Sequence, residues 1–204
     1  LRADMTEEEF VKEVLHGILP PPQYFAKNAM MNKNGYQSFE DVLEHGNQSL
    51  DVAMFEAVAV AKEALVLDVR TEKEFVKGHI PNSIFIGLNG QLAPWAGALI
   101  TDIKQPILLI APKGQEKEAI TRLSRVGYDN TLGYLEGGFE TWEKAGKNVE
   151  KVNCISAADF AKTYNGESPK SLDVRKKGEF DSEHVVGATH FPLAYINTNM
   201  NQIA

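Results

Sequence analysis

Ile107-Leu108-Leu109-Ile110-Ala111-Pro112-Lys113-Gly114-Gln115-Glu116 (residues 107–116) carries a strand, a loop and the start of a helix in one short stretch. Four apolar residues without alternation read as a strand buried on both faces. Pro112 and Gly114 break that run into a loop, and the helical pattern resumes near Glu116. In an α/β sheet such a junction gathers loop N–H groups and a helix N-terminus at one point, which favours an anion. The first loop position is where a nucleophile is expected, and Ala111 stands there.

Working outward, 64–69 is a second apolar run, ending in Asp68 and Arg70. It predicts a buried parallel strand, followed by a short helix over 72–76. Gly78-His79-Ile80-Pro81 turns the chain into a strand at 83–86. Downstream of the loop the pattern gives a helix over 116–126, a strand over 131–135, a break at Gly137-Gly138 and a helix over 139–144. Upstream, Ser38 caps a helix over 39–44 that ends by Gly46, and 50–60 reads as a helix with Val52, Phe55 and Ala59 on one face. Alternating strands and helices predict an α/β fold, a parallel sheet with helices on both faces, over 37–150.

The first 36 residues read differently. Thr6-Glu7-Glu8-Glu9 is a capping-box pattern opening a helix over 7–16, with Phe10, Val14 and Ile18 at helical spacing and Gly17 as its stop. Pro20-Pro21-Pro22 makes 19–25 an extended connector, and 28–36 is polar and turn-rich. We therefore expect 1–36 to be a linker or the tail of an upstream domain.

After Gly146 the pattern restarts. Ser156 caps a helix over 155–164, and 171–175 repeats a strand with the same charged ending. A constant separation of 105 residues pairs Phe55 with Phe160, Leu67 with Leu172, Asp68 with Asp173, Val69 with Val174 and Arg70 with Arg175. It also pairs Glu74 with Glu179, Phe75 with Phe180, His79 with His184 and Leu88 with Leu193. One gapless register predicts a duplicated domain, of which 151–204 is the N-terminal half.

Bulk properties narrow the classes. With 43% hydrophobic and 24% charged residues the chain reads as globular. A formal charge of −7 and the lack of a basic stripe argue against a nucleic-acid partner. No apolar run reaches the ~18 residues of a membrane span. Leu1-Arg2-Ala3-Asp4 shows neither a signal peptide nor an initiator, so the chain is expected to begin inside a longer protein. The single cysteine, Cys154, excludes an internal disulfide and fits a cytoplasmic setting. Composition leaves a homo-oligomer open.

The stretch LDVRTEKEFVKGHIPNSI (67–84) and the stretch from Pro106 through LEGGFETW (135–142) resemble a rhodanese domain. The resemblance covers 47–146 in full and 155 onward in part. It implies the rhodanese fold, whose intact members are sulfurtransferases. Their loop has the form Cys-x-x-Gly-x-Arg, and its cysteine carries sulfur as a persulfide. Registered on Gly114, the resemblance puts Ala111 at the cysteine and Glu116 at the arginine. A methyl group forms no persulfide, and a carboxylate repels an anionic sulfur donor. The expectation is a degenerate active-site loop, Ala111, Pro112, Lys113, Gly114, Gln115 and Glu116, with no catalytic residue and no cofactor in this chain. Pro112 also removes one loop N–H. The matching loop of the second copy would fall beyond Ala204.

The resemblance makes Asp68, Arg70 and His79 loop supports. Cys154 reads as an incidental thiol before a helix cap and Trp95 as core. PPPQYFAKNAMMNKNGY (20–36) resembles the end of metallo-β-lactamase-fold hydrolases fused to rhodanese domains, of the persulfide-dioxygenase and glyoxalase-II-like kind. Their His-x-His-x-Asp-His motif is absent here, and the five histidines (16, 45, 79, 184, 190) do not cluster, so no metal site is predicted. The expected partners are an upstream metallo-hydrolase domain and the rest of the second rhodanese domain.

Overall fold

The computed structural model describes residues 5–15, 24–35, 37–164 and 171–202. Its elements are α1 (Glu7–Leu15), α2 (Tyr24–Asn34), α3 (Phe39–Gly46), β1 (Ser49–Leu50), α4 (Val52–Ala61), β2 (Leu65–Asp68), α5 (Glu72–Lys77) and β3 (Ile84–Phe85). There follow α6 (Leu92–Leu99), β4 (Ile107–Ile110), α7 (Glu116–Ser124), β5 (Thr131–Leu135), α8 (Phe139–Lys144) and α9 (Ala157–Thr163). The chain continues with β6 (Leu172–Asp173), α10 (Lys177–Ser182), β7 (Thr189–His190), a tight turn at Leu193–Tyr195 and α11 (Ile196–Asn199).

Five strands form a parallel sheet in the order β1-β5-β4-β2-β3. All four residues of β4 are buried, as expected of a central strand covered on both faces. Successive side chains of a strand point to opposite faces. Ile107 and Leu109 accordingly join one core with Val42, Ala96, Ile120 and Leu123, from α3, α6 and α7. Leu108 and Ile110 join the other, with Phe55, Phe139 and Trp142 from α4 and α8.

Several sequence expectations change. Residues 28–36, read as turn-rich, belong largely to helix α2. Ala26, Lys27, Ala29, Met30 and Met31 are good helix formers, and their sum outweighs the asparagines. The helix also has a docking partner: the Tyr24 ring lies against Gly97 of α6, where a Cβ would collide with it. Lys27 Nζ donates to Thr101 O at 2.7 Å. Gly97→Val is therefore expected to undock α2 while the sheet persists. Limited proteolysis should cut faster after Lys27, and the far-ultraviolet spectrum should change little.

Tyr24 and Phe25, read as part of an extended connector, open α2 instead. The prolines of that connector, Gly17, Ile18 and the end of the first helix lie outside the described residues. Leu50 is in β1, not in a helix, because Asp51 caps α4 by accepting from Met54 N at 2.8 Å. Residues 92–99, left without an element, form α6, whose Pro94 sits in the first turn where no N–H is missed. Trp95 is half-buried against the first core, in keeping with its reading. After residue 151, three α-helices, two strands and two short 3-10 turns stand among the described residues where one helix and one strand were expected.

Tyr128 closes the bottom of the first core. It is 2% exposed, and its hydroxyl donates to Ile100 O at 2.6 Å. Burial, then the negative charge of Asp102, pushes its phenol up to about 12. The stabilisation from keeping it protonated is full below the ordinary value of ~10 and is lost as pH rises through the folded value. An ultraviolet phenolate titration should show one late step near pH 12, absent in Tyr128→Phe.

Candidate functional site

The loop after β4 begins at Ala111, which is buried at 6% exposure and offers only a methyl group. Gln115 N donates to Pro112 O at 3.0 Å and closes the turn. Gly114 takes φ +83°, a left-handed conformation that suits glycine. Its N–H does not point to open solvent unpaired: it donates to Glu116 Oε1 at 3.1 Å. The carboxylate of the first α7 residue thus folds back onto the loop's own N–H. Such a carboxylate sits well at a helix N-terminus, where the backbone dipoles favour negative charge. Lys113 projects outward with no ion pair among the described residues.

The expected supports assemble beside this loop without touching it through polar groups. Asp68 pairs in register with Ile110, the residue before Ala111, and Val69 N donates to Ile110 O at 2.9 Å. Asp68 is fully buried. Arg70 Nη2 donates to Asp68 Oδ2 at 2.6 Å, and Arg70 Nε to Asp68 Oδ1 at 3.0 Å. Nη2 also reaches Gly78 O at 2.8 Å. The guanidinium carbon lies 4.2 Å above the Phe139 ring of α8.

His79 is held by Nδ1, which donates to Phe75 O at 3.0 Å, and by stacking on the Phe75 ring at 4.0 Å. Its backbone exchanges hydrogen bonds with Glu150 at 2.9 and 3.0 Å, tying the segment after α8 to the turn before β3. The Gly137-Gly138 break, read only as a strand end, adjoins the loop as well. A Cβ on Gly138 would lie 3.4 Å from Ala111 O. Its doubled glycine was the one available signal. Cys154 is exposed in the stretch before α9. Among the described residues no group of three or more His, Cys, Asp or Glu side chains could hold a metal ion, and no helix is long and apolar enough to cross a membrane.

The Asp68–Arg70 arrangement recurs 105 residues on. Arg175 Nη2 donates to Asp173 Oδ2 at 2.6 Å and to Glu183 O at 2.7 Å, and Glu183 is the position matching Gly78. His184 Nδ1 donates to Phe180 O at 2.8 Å and stacks on Phe180 at 3.8 Å. Leu193 N donates to Val174 O at 2.9 Å, as Leu88 N does to Val69 O at 2.9 Å.

Against known proteins, residues 52–145 match the rhodanese-like domain family. This part of the chain has a rhodanese-like fold. The centrosomal protein of 41 kDa from Xenopus tropicalis is 32% identical over 106 residues, a match spanning 52% of this chain and 27% of that protein. Among solved structures, a metallo-β-lactamase from Staphylococcus aureus is 22% identical, covering 66% of this chain and 36% of that one, with a TM-score of 0.50. A rhodanese-related protein from Thermoplasma volcanium is 27% identical over 50% of this chain and 97% of that one, with a TM-score of 0.40. The residues matched by the family, 52–145, take in α4 to α8 and the loop 111–116.

Proposed function

We propose that the rhodanese-like domain does not transfer sulfur and serves as an interaction or regulatory module of a larger sulfur-handling protein. The observation that carries this reading is the loop itself. A methyl group stands at the nucleophile position, and the Glu116 carboxylate occupies the Gly114 N–H that an anionic donor would use. Asp68, Arg70 and His79 then act as supports, since their hydrogen bonds end on one another's neighbourhood and not on a substrate path. A thiosulfate:cyanide sulfurtransferase assay tests it. The purified chain should release no thiocyanate above a heat-denatured control, and sustained turnover overturns the reading.

The larger protein, in this proposal, is a metal-dependent hydrolase or dioxygenase of the metallo-β-lactamase superfamily, working in the cytoplasm. The resemblance of 20–36 to the tails of such hydrolases supports it, and so does the likeness to the Staphylococcus aureus protein in fold. A second reading is favoured by the repeated hydrogen bonding around Asp173 and Arg175. It makes 151–204 the first half of another rhodanese-like copy in a tandem sulfurtransferase. The coding sequence would then carry Cys-x-x-Gly-x-Arg roughly 105 residues after Ala111, in the register that repeats are expected to keep. A continuation without that motif removes the reading.

A further inference from the structure

We propose that the cavity beyond the carboxyl ends of β2 and β3 is a binding site for a small molecule with a flat apolar body and an anionic group. Its volume is about 620 Å³, within the range of ligand sites. In parallel sheets ligands gather outside the carboxyl ends of the strands. Phe85, Trp95, Leu99 and Leu193 wall the cavity, and all four are only half-buried. Covering such wet apolar and aromatic surface with a ligand ring is favourable.

The rim carries uncommitted polar groups. Lys73 makes no ion pair, and the side-chain amides of Asn89 and Gln91 make no hydrogen bond, among the described residues. The ammonium and the two amides supply donors for an anionic group. Glu72 borders the same cavity, so the anion is placed at the Lys73 side. Arg70 also borders it, but its Nε and Nη2 are engaged by Asp68 and Gly78.

One wall comes from the far segment of the chain and is fixed in place. Asn197 Nδ2 donates to Ala98 O and to Leu99 O, each at 3.0 Å, at the end of α6. Phe191, two residues before Leu193, is 3% exposed. The site shares no residue with the loop 111–116, so it stands whether or not the loop is silent.

Two fluorescent probes test the site: anilinonaphthalene sulfonate, which is anionic, and phenylnaphthylamine, which is neutral. Gly90→Leu fills the cavity, because a Cβ at Gly90 meets only Gly87 O, at 3.5 Å. Lys73→Glu reverses the rim charge on an exposed side chain. Each probe should bind once per chain. Gly90→Leu should weaken both about tenfold, and Lys73→Glu should weaken only the sulfonate about tenfold. Unchanged binding of both probes in Gly90→Leu overturns the site. Equal weakening of both probes in Lys73→Glu overturns its preference for an anion. Loss of binding in Leu172→Glu, with none in Gly90→Leu, moves the probes to the exposed apolar surface of 171–188 and overturns it as well.

Discussion

Asp68→Ala is expected to lower the unfolding free energy by about 3–5 kcal/mol, the usual result of removing one partner of a buried ion pair. The carboxylate is fully buried, and Arg70 beside it is 8% exposed. Without Asp68 the guanidinium stays buried against Phe139 with only Gly78 O to accept from it. The chain supplies its own control. Asp173→Ala breaks the same set of hydrogen bonds in the same geometry, but Arg175 is 46% exposed and water replaces the lost acceptor. Its effect should be far smaller. Denaturant unfolding of the two variants checks both, and equal losses would show that burial does not set the value of this pair. Acid adds a second readout. Hydrogen bonds from Arg175 hold the Asp173 carboxyl down to about 2. That contribution is fully present above the ordinary carboxyl value, shrinks as pH falls below it, and is gone once pH passes the folded value.

Ala111→Cys combined with Glu116→Arg should give a thiol more acidic than the unperturbed ~8.5 of cysteine. The substitution frees the Gly114 N–H and places a cation in the first turn of α7, both of which favour a thiolate in the loop. Ala111→Cys alone keeps the Glu116 carboxylate in the same loop, hydrogen-bonded to Gly114 N, which disfavours a thiolate there. Its pKa should lie at or above ~8.5. Reaction with an aromatic disulfide across a pH series separates the two variants. A double variant that titrates like free cysteine would mean that the loop does not focus its N–H groups on position 111.

The sheet was legible because its central strands are nearly all apolar and are bounded by strong breakers. Ile107 to Ile110 stand between Pro106 and Pro112, and Leu65 to Asp68 run into the Asp–Arg pair. The caps at Ser38 and Ser156 were equally plain, each accepting from the backbone three residues on. Within residues 1–150, three features escaped. Helix α2 depends on tertiary docking against Gly97, which local pattern does not display. Helix α6 carries Pro94 near its start, which reads as a breaker unless its place in the first turn is known. Strand β1 is two residues long and exists only through its pairing with β5. In the loop, residue identities were legible, but the return of Glu116 onto Gly114 was not, because a carboxylate at a helix start reads first as a solvated side chain.

Past the buried Ala111, the stretch 112–116 runs between two separately anchored elements. Ile107 to Ile110 are buried in the sheet, and Ala119, Ile120 and Leu123 fix α7 to the first core. Beyond position 111, selection on chemistry and selection on fold therefore act on largely separate residues. A lineage could exchange the cation position while the scaffold stayed folded, and drift there would escape a screen for folded protein. The same independence makes the five positions 112–116 a grafting site, where new recognition sequences could be installed and compared on one unchanged frame.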